Sequence, residues 1–139
     1  MTKALIDTNV CLDAALGRNP FQLNALKIIE SSQYREFSGL IAAHSLDTLF
    51  YLINNKNNKE ETYTVLDGLR RAFSVAPVTQ DIIDTALHLK WNDFEDAIHY
   101  TTAQAANCDA IVTRNRKDFK GADLPVLSPL EFLDQLHEH

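Results

Sequence analysis

Short unbroken apolar runs alternate along this chain with longer stretches in which apolar residues recur every three or four positions. Ala4-Leu5-Ile6 runs straight into Asp7, and Gly39-Leu40-Ile41-Ala42 and Ala110-Ile111-Val112-Thr113 have the same character. Such runs mark central strands of a parallel sheet covered on both faces. Ser74-Val75-Ala76-Pro77 and Val126-Leu127 are shorter candidates. Helices are expected from about Asn9, from Pro20 to Ser31 with Leu23, Leu26 and Ile29 at helical spacing, from Ser45 to Ile53, and from about Glu60 to Phe73. Further helices should follow Thr79 as a cap, open at Asn92 and Glu95 with capping-box spacing, and begin at Ser128-Pro129. Strands alternating with helices predict a three-layer α/β/α sandwich around a short parallel sheet. Ligands in such sheets gather outside the carboxyl ends of the strands.

Four segments place polar groups at that edge. Asp7-Thr8-Asn9 directly follows the first strand, where Asp7 either holds a hard cation or caps the next helix. Asp93, Glu95 and Asp96 crowd the first turn of the helix through Ile98, where acids suit the helix dipole without any further role. Helical period sets Asp96 opposite the apolar stripe of that helix, through Phe94, Ile98, Thr101 and Ala105. Thr113-Arg114-Asn115-Arg116-Lys117-Asp118-Phe119 follows the third buried run, as a functional edge or as a loop of locally paired charges. His44-Ser45-Leu46-Asp47-Thr48 opens the helix after the second strand. His88, His99, His137 and His139 have no mutual ligand spacing, which argues against zinc. Trp91 reads as a core or interface anchor.

The 139 residues fit one domain, spanning positions 1–139, and a 45% hydrophobic, 23% charged composition excludes a disordered tail. No apolar stretch approaches the ~20 residues of a membrane span, and Met1-Thr2-Lys3 leads into the first strand without a leader pattern. Cytoplasm is the expected compartment. Cys11 and Cys108 form no metal-type or redox-type pair and read as buried small hydrophobes. Thirteen Lys and Arg against nineteen Asp and Glu give a net charge of −6. That balance opposes a simple nucleic-acid footprint but suits an enzyme that gathers carboxylates around a cation. The basic residues are uneven, with Arg114, Arg116, Lys117 and Lys120 in one stretch and Arg70-Arg71 in another.

Taken together, these segments resemble a known family. Leu5-Ile6-Asp7-Thr8-Asn9-Val10 is similar to the opening strand of PIN domains. Asp93-Phe94-Glu95-Asp96-Ala97-Ile98, Ile111-Val112-Thr113-Arg114-Asn115 and Lys117-Asp118-Phe119 resemble their C-terminal half, and Ser128-Pro129-Leu130-Glu131-Phe132-Leu133 also fits. The resemblance implies a PIN-like α/β/α sandwich, a carboxylate site binding Mg²⁺ or Mn²⁺, and hydrolysis of RNA. Small bacterial members resemble VapC toxins, which dimerise and are inhibited by an antitoxin, so a homodimer and an antitoxin partner are implied as well.

Carried over residue by residue, the resemblance makes Asp7, Asp96 and Asp118 metal ligands, with Asn115 beside them as a catalytic residue. Thr8 and Thr113 would support these by hydrogen bonds, and Arg114, Arg116 and Lys117 would position the RNA backbone. The chain departs from the pattern in two places. Thr48 stands where the family carries a glutamate, with Asp47 one residue and so about 100° away around the helix. Asn115 stands where an acid is frequent. The departures keep open a catalytically weakened PIN-like module that binds RNA or a protein partner. A phosphoryl-acceptor enzyme using Asp7 is disfavoured, because aspartyl phosphatases of the haloacid dehalogenase type place a second aspartate where Asn9 stands. Crowded carboxylates should raise the pKa of at least one, and relief of that repulsion predicts that Asp7→Asn stabilises the metal-free protein.

Overall fold

The computed structural model describes residues 1–138; His139 lies outside the described residues. The elements run β1 (Lys3–Ile6), α1 (Thr8–Leu16), α2 (Gln22–Gln33), β2 (Ser38–Ala42), α3 (Ala43–Asn54), α4 (Lys59–Ala72), β3 (Ser74–Ala76), α5 (Gln80–Leu89), α6 (Phe94–Ala105), β4 (Ala110–Val112), a 3₁₀ turn (Arg116–Phe119), β5 (Val126–Leu127) and α7 (Pro129–Leu136). All strand pairs are parallel, in the order β3-β2-β1-β4-β5.

Alternation along each strand sends successive side chains to opposite layers. Ala4 and Ile6 of β1, with Ala110 and Val112 of β4, pack under α1–α4 and α7. Leu5 and Ile111 face the other layer, where Tyr100 and Ala103 of α6 meet them. Both faces are covered, which is why the runs are apolar without a break. The backbone accommodates two glycines for different reasons. Gly17 ends α1 with φ +67°, and a Cβ on Gly39 would lie 2.6 Å from both Phe73 and Ser32.

Local signals set most of the boundaries. Thr79 accepts from the Ile82 N–H at the start of α5, and Ser128 with Glu131 forms a reciprocal capping box at α7. Two expectations are corrected. Leu23 and Leu26 are exposed, while α2 packs through Ala25 and Ile28, so burial in this helix follows the small and branched residues. At α6 the cap is Asp93, which accepts from the Asp96 N–H, and not Asn92 with Glu95.

The order of the strands matters for function. From β1 the chain winds outward through β2 to β3, then crosses back to lay β4 and β5 on the other side of β1. The crevice at the carboxyl ends of β1 and β4 is therefore the topological switch point, where open parallel sheets bind ligands.

Candidate functional site

Asp7 stands in that crevice. It follows the last residue of β1, and its N–H donates to the Val112 carbonyl at the end of β4 (3.0 Å). Although it occupies the N-cap position of α1, its side chain makes no capping bond. Oδ2 instead accepts from Thr113 Oγ1 at 2.8 Å, and Thr113 Oγ1 in turn accepts from the Asn115 N–H. Oδ1 faces His99 Nε2 at 3.3 Å but is buried without a hydrogen-bond partner among the described residues. Thr8 Oγ1 contacts Ser45 Oγ at 2.8 Å and His99 Nε2 at 3.3 Å, tying α1, α3 and α6 together beneath the site.

Asp96 is buried, although helical period sets it opposite the apolar stripe of its helix. The reason is the position of α6: every residue from Asp96 to Ala103 is buried, so this helix has no polar face for an acid at its start. Potential ligand atoms gather around it in overlapping groups, each within 4.8 Å: Asp7 with Asp96 and His99; Asp93 with Asp96 and Asp118; and His44 with Glu95 and His99. Asp7, Asp96 and Asp118 thus do not form one set. Asp96 links two. Asn115 is half-buried at the mouth of the 3₁₀ turn, Thr48 is half-buried, and Asp47 is exposed and belongs to none of the groups.

The protonation states follow from this packing. Burial pushes the Asp96 carboxyl up to about 8, helped by the neighbouring charges of Asp7, Asp93 and Asp118. Glu95 is raised too, first by burial. Burial would also raise Asp7, but the facing His99 imidazole and the Thr113 hydroxyl outweigh it and hold Asp7 below the usual carboxylate range. His99, which burial alone would lower, is raised by the same partnership with Asp7 and by Glu95 and Asp96. His44 is pushed down to about 4 by burial and by His99. The two histidine rings lie 4.8 Å apart between centroids. Spacing gave no hint of this pair, because α3 and α6 bring it together only in the fold.

The basic residues separate into different roles. Arg114 does not face the crevice: its Nε donates to Asp13 Oδ2 at 2.8 Å and Nη2 to Asp13 Oδ1 at 3.2 Å, with the guanidinium 4.3 Å from the centroid of the Phe21 ring. Asp13 is buried in α1, so this pair pins the loop after β4 to that helix. Arg116 bonds Glu131 of α7 at 3.1 Å on the surface. Lys117 does border the site, in a cleft of about 440 Å³ that it shares with Lys90, Lys120, Trp91, Asp93 and Asp118. Trp91 stacks on Tyr100 with centroids 5.2 Å apart, an anchor at the rim of that cleft. Arg70 and Arg71 border a separate cavity with Met1, Ser38 and Ser74, at the amino ends of the strands.

Residues 3–117 match the PIN domain family. The chain belongs to that family. Comparison with curated proteins finds no match. Solved structures share the fold. VapBC2 from Rickettsia felis, bound to a DNA fragment from its promoter, is 19% identical with a TM-score of 0.69, over 91% of this chain and 98% of that one. A toxin–antitoxin complex from Klebsiella pneumoniae is 25% identical with a TM-score of 0.68, over 91% and 97%. VapC20 from Mycobacterium tuberculosis, a sarcin-ricin loop cleaving toxin, is 15% identical with a TM-score of 0.64, over 78% and 86%.

Proposed function

We propose that this chain is a cytoplasmic, metal-dependent endoribonuclease and the toxin of a toxin–antitoxin pair. The observation that carries the reading is the shared position of Asp96, buried between Asp7 with His99 on one side and Asp93 with Asp118 on the other. A buried carboxyl whose ionisation is opposed by burial and by neighbouring acids, beside a buried carboxylate oxygen without a hydrogen-bond partner, fits a cation. Oxygen donors of this kind fit Mg²⁺ or Mn²⁺. Family membership and the toxins among the fold neighbours support the same assignment.

Asp96 would hold a cation with Asp7 on one side and with Asp118 on the other, with Thr113 fixing Asp7 and Thr8 fixing His99. Bound there, a divalent ion supplies an activated water and neutralises charge on the phosphate. Asn115, whose N–H bonds Thr113 Oγ1 beside Asp7, would orient the attacking water, and Lys117 with Lys90 and Lys120 would bind phosphates flanking the scissile bond. The products would carry a 5′-phosphate and a 3′-hydroxyl. Binding through these lysines, not through Arg114, reconciles a net charge of −6 with a polyanionic substrate.

The antitoxin and a second copy of the chain would be its protein partners. Leu23 and Leu26 on α2 and Leu130 on α7 are exposed apolar residues that such a homodimer would cover. No helix among the described residues is long and apolar enough to cross a membrane. A second reading, a weakened module that binds RNA without cutting it, has Thr48 in its favour. Incubating mixed RNAs with the purified protein in Mn²⁺ and in EDTA tests the assignment. Cleavage in Mn²⁺ alone is expected; binding without cleavage in either would favour the weakened module.

A further inference from the structure

We propose that His44 and His99, with Glu95, form a nitrogen-ligated cation position beside the carboxylates, one that prefers transition ions to Mg²⁺. The inference rests on the metal-dependent reading above and specifies the ions that its site selects.

Three observations lead to it. The ligand atoms of His44, Glu95 and His99 lie within 4.8 Å of one another, and His99 belongs also to the group of Asp7 and Asp96, so the two positions are contiguous. Both ring nitrogens of His44 and Nδ1 of His99 are buried without hydrogen-bond partners among the described residues. Buried polar atoms are normally paired, and two neighbouring imidazoles left this way need a partner that the polypeptide does not provide. Finally, His99 Nε2 lies 3.3 Å from Asp7 Oδ1, 3.3 Å from Thr8 Oγ1 and 3.9 Å from Glu95 Oε1, each longer than a good hydrogen bond. A cation here would engage one nitrogen of each ring together with a carboxylate oxygen of Glu95.

The donor set predicts the selectivity. Imidazole nitrogen suits Mn²⁺, Co²⁺ and Zn²⁺ in rising order of affinity, whereas Mg²⁺ favours oxygen and keeps its waters. Two histidines and a carboxylate leave room in the coordination sphere for water or a substrate oxygen.

The test is direct ion binding, with the metal alone as the probe. Titration of the parent with Co²⁺ should produce the visible absorption of nitrogen-ligated cobalt, and calorimetry should rank Zn²⁺ and Co²⁺ above Mn²⁺ and all three above Mg²⁺. His44→Asn should lose that absorption and weaken Co²⁺ and Zn²⁺ at least tenfold while changing Mg²⁺ little. His44→Gln serves as a second variant, and melts in EDTA establish that each is folded. Asp96→Asn, in parallel, should lose Mg²⁺ binding. If His44→Asn and His44→Gln bind every ion as the parent does, while Asp96→Asn loses Mg²⁺, the nitrogen-ligated position is wrong and the carboxylate site stands. If Asp96→Asn keeps Mg²⁺, the underlying reading fails as well.

Discussion

His99 Nε2 lies 3.3 Å from Asp7 Oδ1, both side chains almost wholly buried, so the carboxylate that ends β1 is stabilised by a histidine from α6. This reverses the sequence-based expectation for Asp7→Asn. The acid strained by its neighbours is Asp96, whereas Asp7 is held below its ordinary pKa. Asp7→Asn should therefore lower the melting temperature of the metal-free protein, because it leaves a buried imidazole without its counter-charge. Melts in EDTA decide it; a rise would mean that repulsion outweighs the Asp7–His99 pair.

Asp96 gives the metal-free protein a pH dependence of defined sign. Its folded pKa of about 8 lies above the ordinary value of 3.8, so the folded state binds more protons than the unfolded chain over that interval. Stability is fully present below about pH 4 and is lost as pH rises towards 8. His99, also raised, adds a loss above its ordinary value of 6.5. Melting in EDTA should fall from pH 6 to pH 9, and Asp96→Asn should flatten the decline. Saturating Mn²⁺ should remove it in the parent, because cation binding favours the ionised carboxylates and stabilises the folded state. A melting curve in EDTA that rises over that range would contradict the assignment.

Arg114 and Lys117, close together in sequence, should behave differently. Arg114→Ala strands the buried Asp13 carboxylate, leaving only Arg18 at 3.7 Å, and should cost about 2 kcal/mol of stability, discounted from the ~3–5 of a fully buried pair. Lys117→Ala should leave the melting temperature unchanged, raise KM for RNA, and reduce the salt dependence of binding. Thermal melts and binding at two salt concentrations separate the two effects.

Asp47→Ala should leave cleavage within about twofold of the parent, because the side chain is exposed and outside every ligand group. A loss comparable to Asp96→Asn would show that α3 contributes Asp47 after all. Initial rates in saturating Mn²⁺ measure the difference.

How much of this was legible in the sequence depends on the range of the signal. The strands at Ala4, Gly39 and Ala110, and the caps at Thr79 and Ser128, are local patterns and appear where periodicity places them. Asp7 followed from its position at a strand end. Asp96 followed from the resemblance and not from periodicity, because an amphipathic reading assumes that one side of a helix is wet, and α6 is covered along most of its length. The partnerships of His99 with Asp7 and His44, and of Arg114 with Asp13, join residues from different elements. No spacing rule can report contacts that only the crossing of α1, α3 and α6 creates.

The central claim is that a cation held around Asp96 cleaves RNA, and the most direct test is a cleavage assay of the parent and Asp96→Asn across a Mn²⁺ titration, with product ends analysed. The account predicts cleavage by the parent that saturates with Mn²⁺, vanishes in EDTA and leaves 5′-phosphate ends. Asp96→Asn should be folded and at least a hundredfold slower at every Mn²⁺ concentration. Equal cleavage by both proteins, or cleavage by the parent that persists in EDTA, would contradict it.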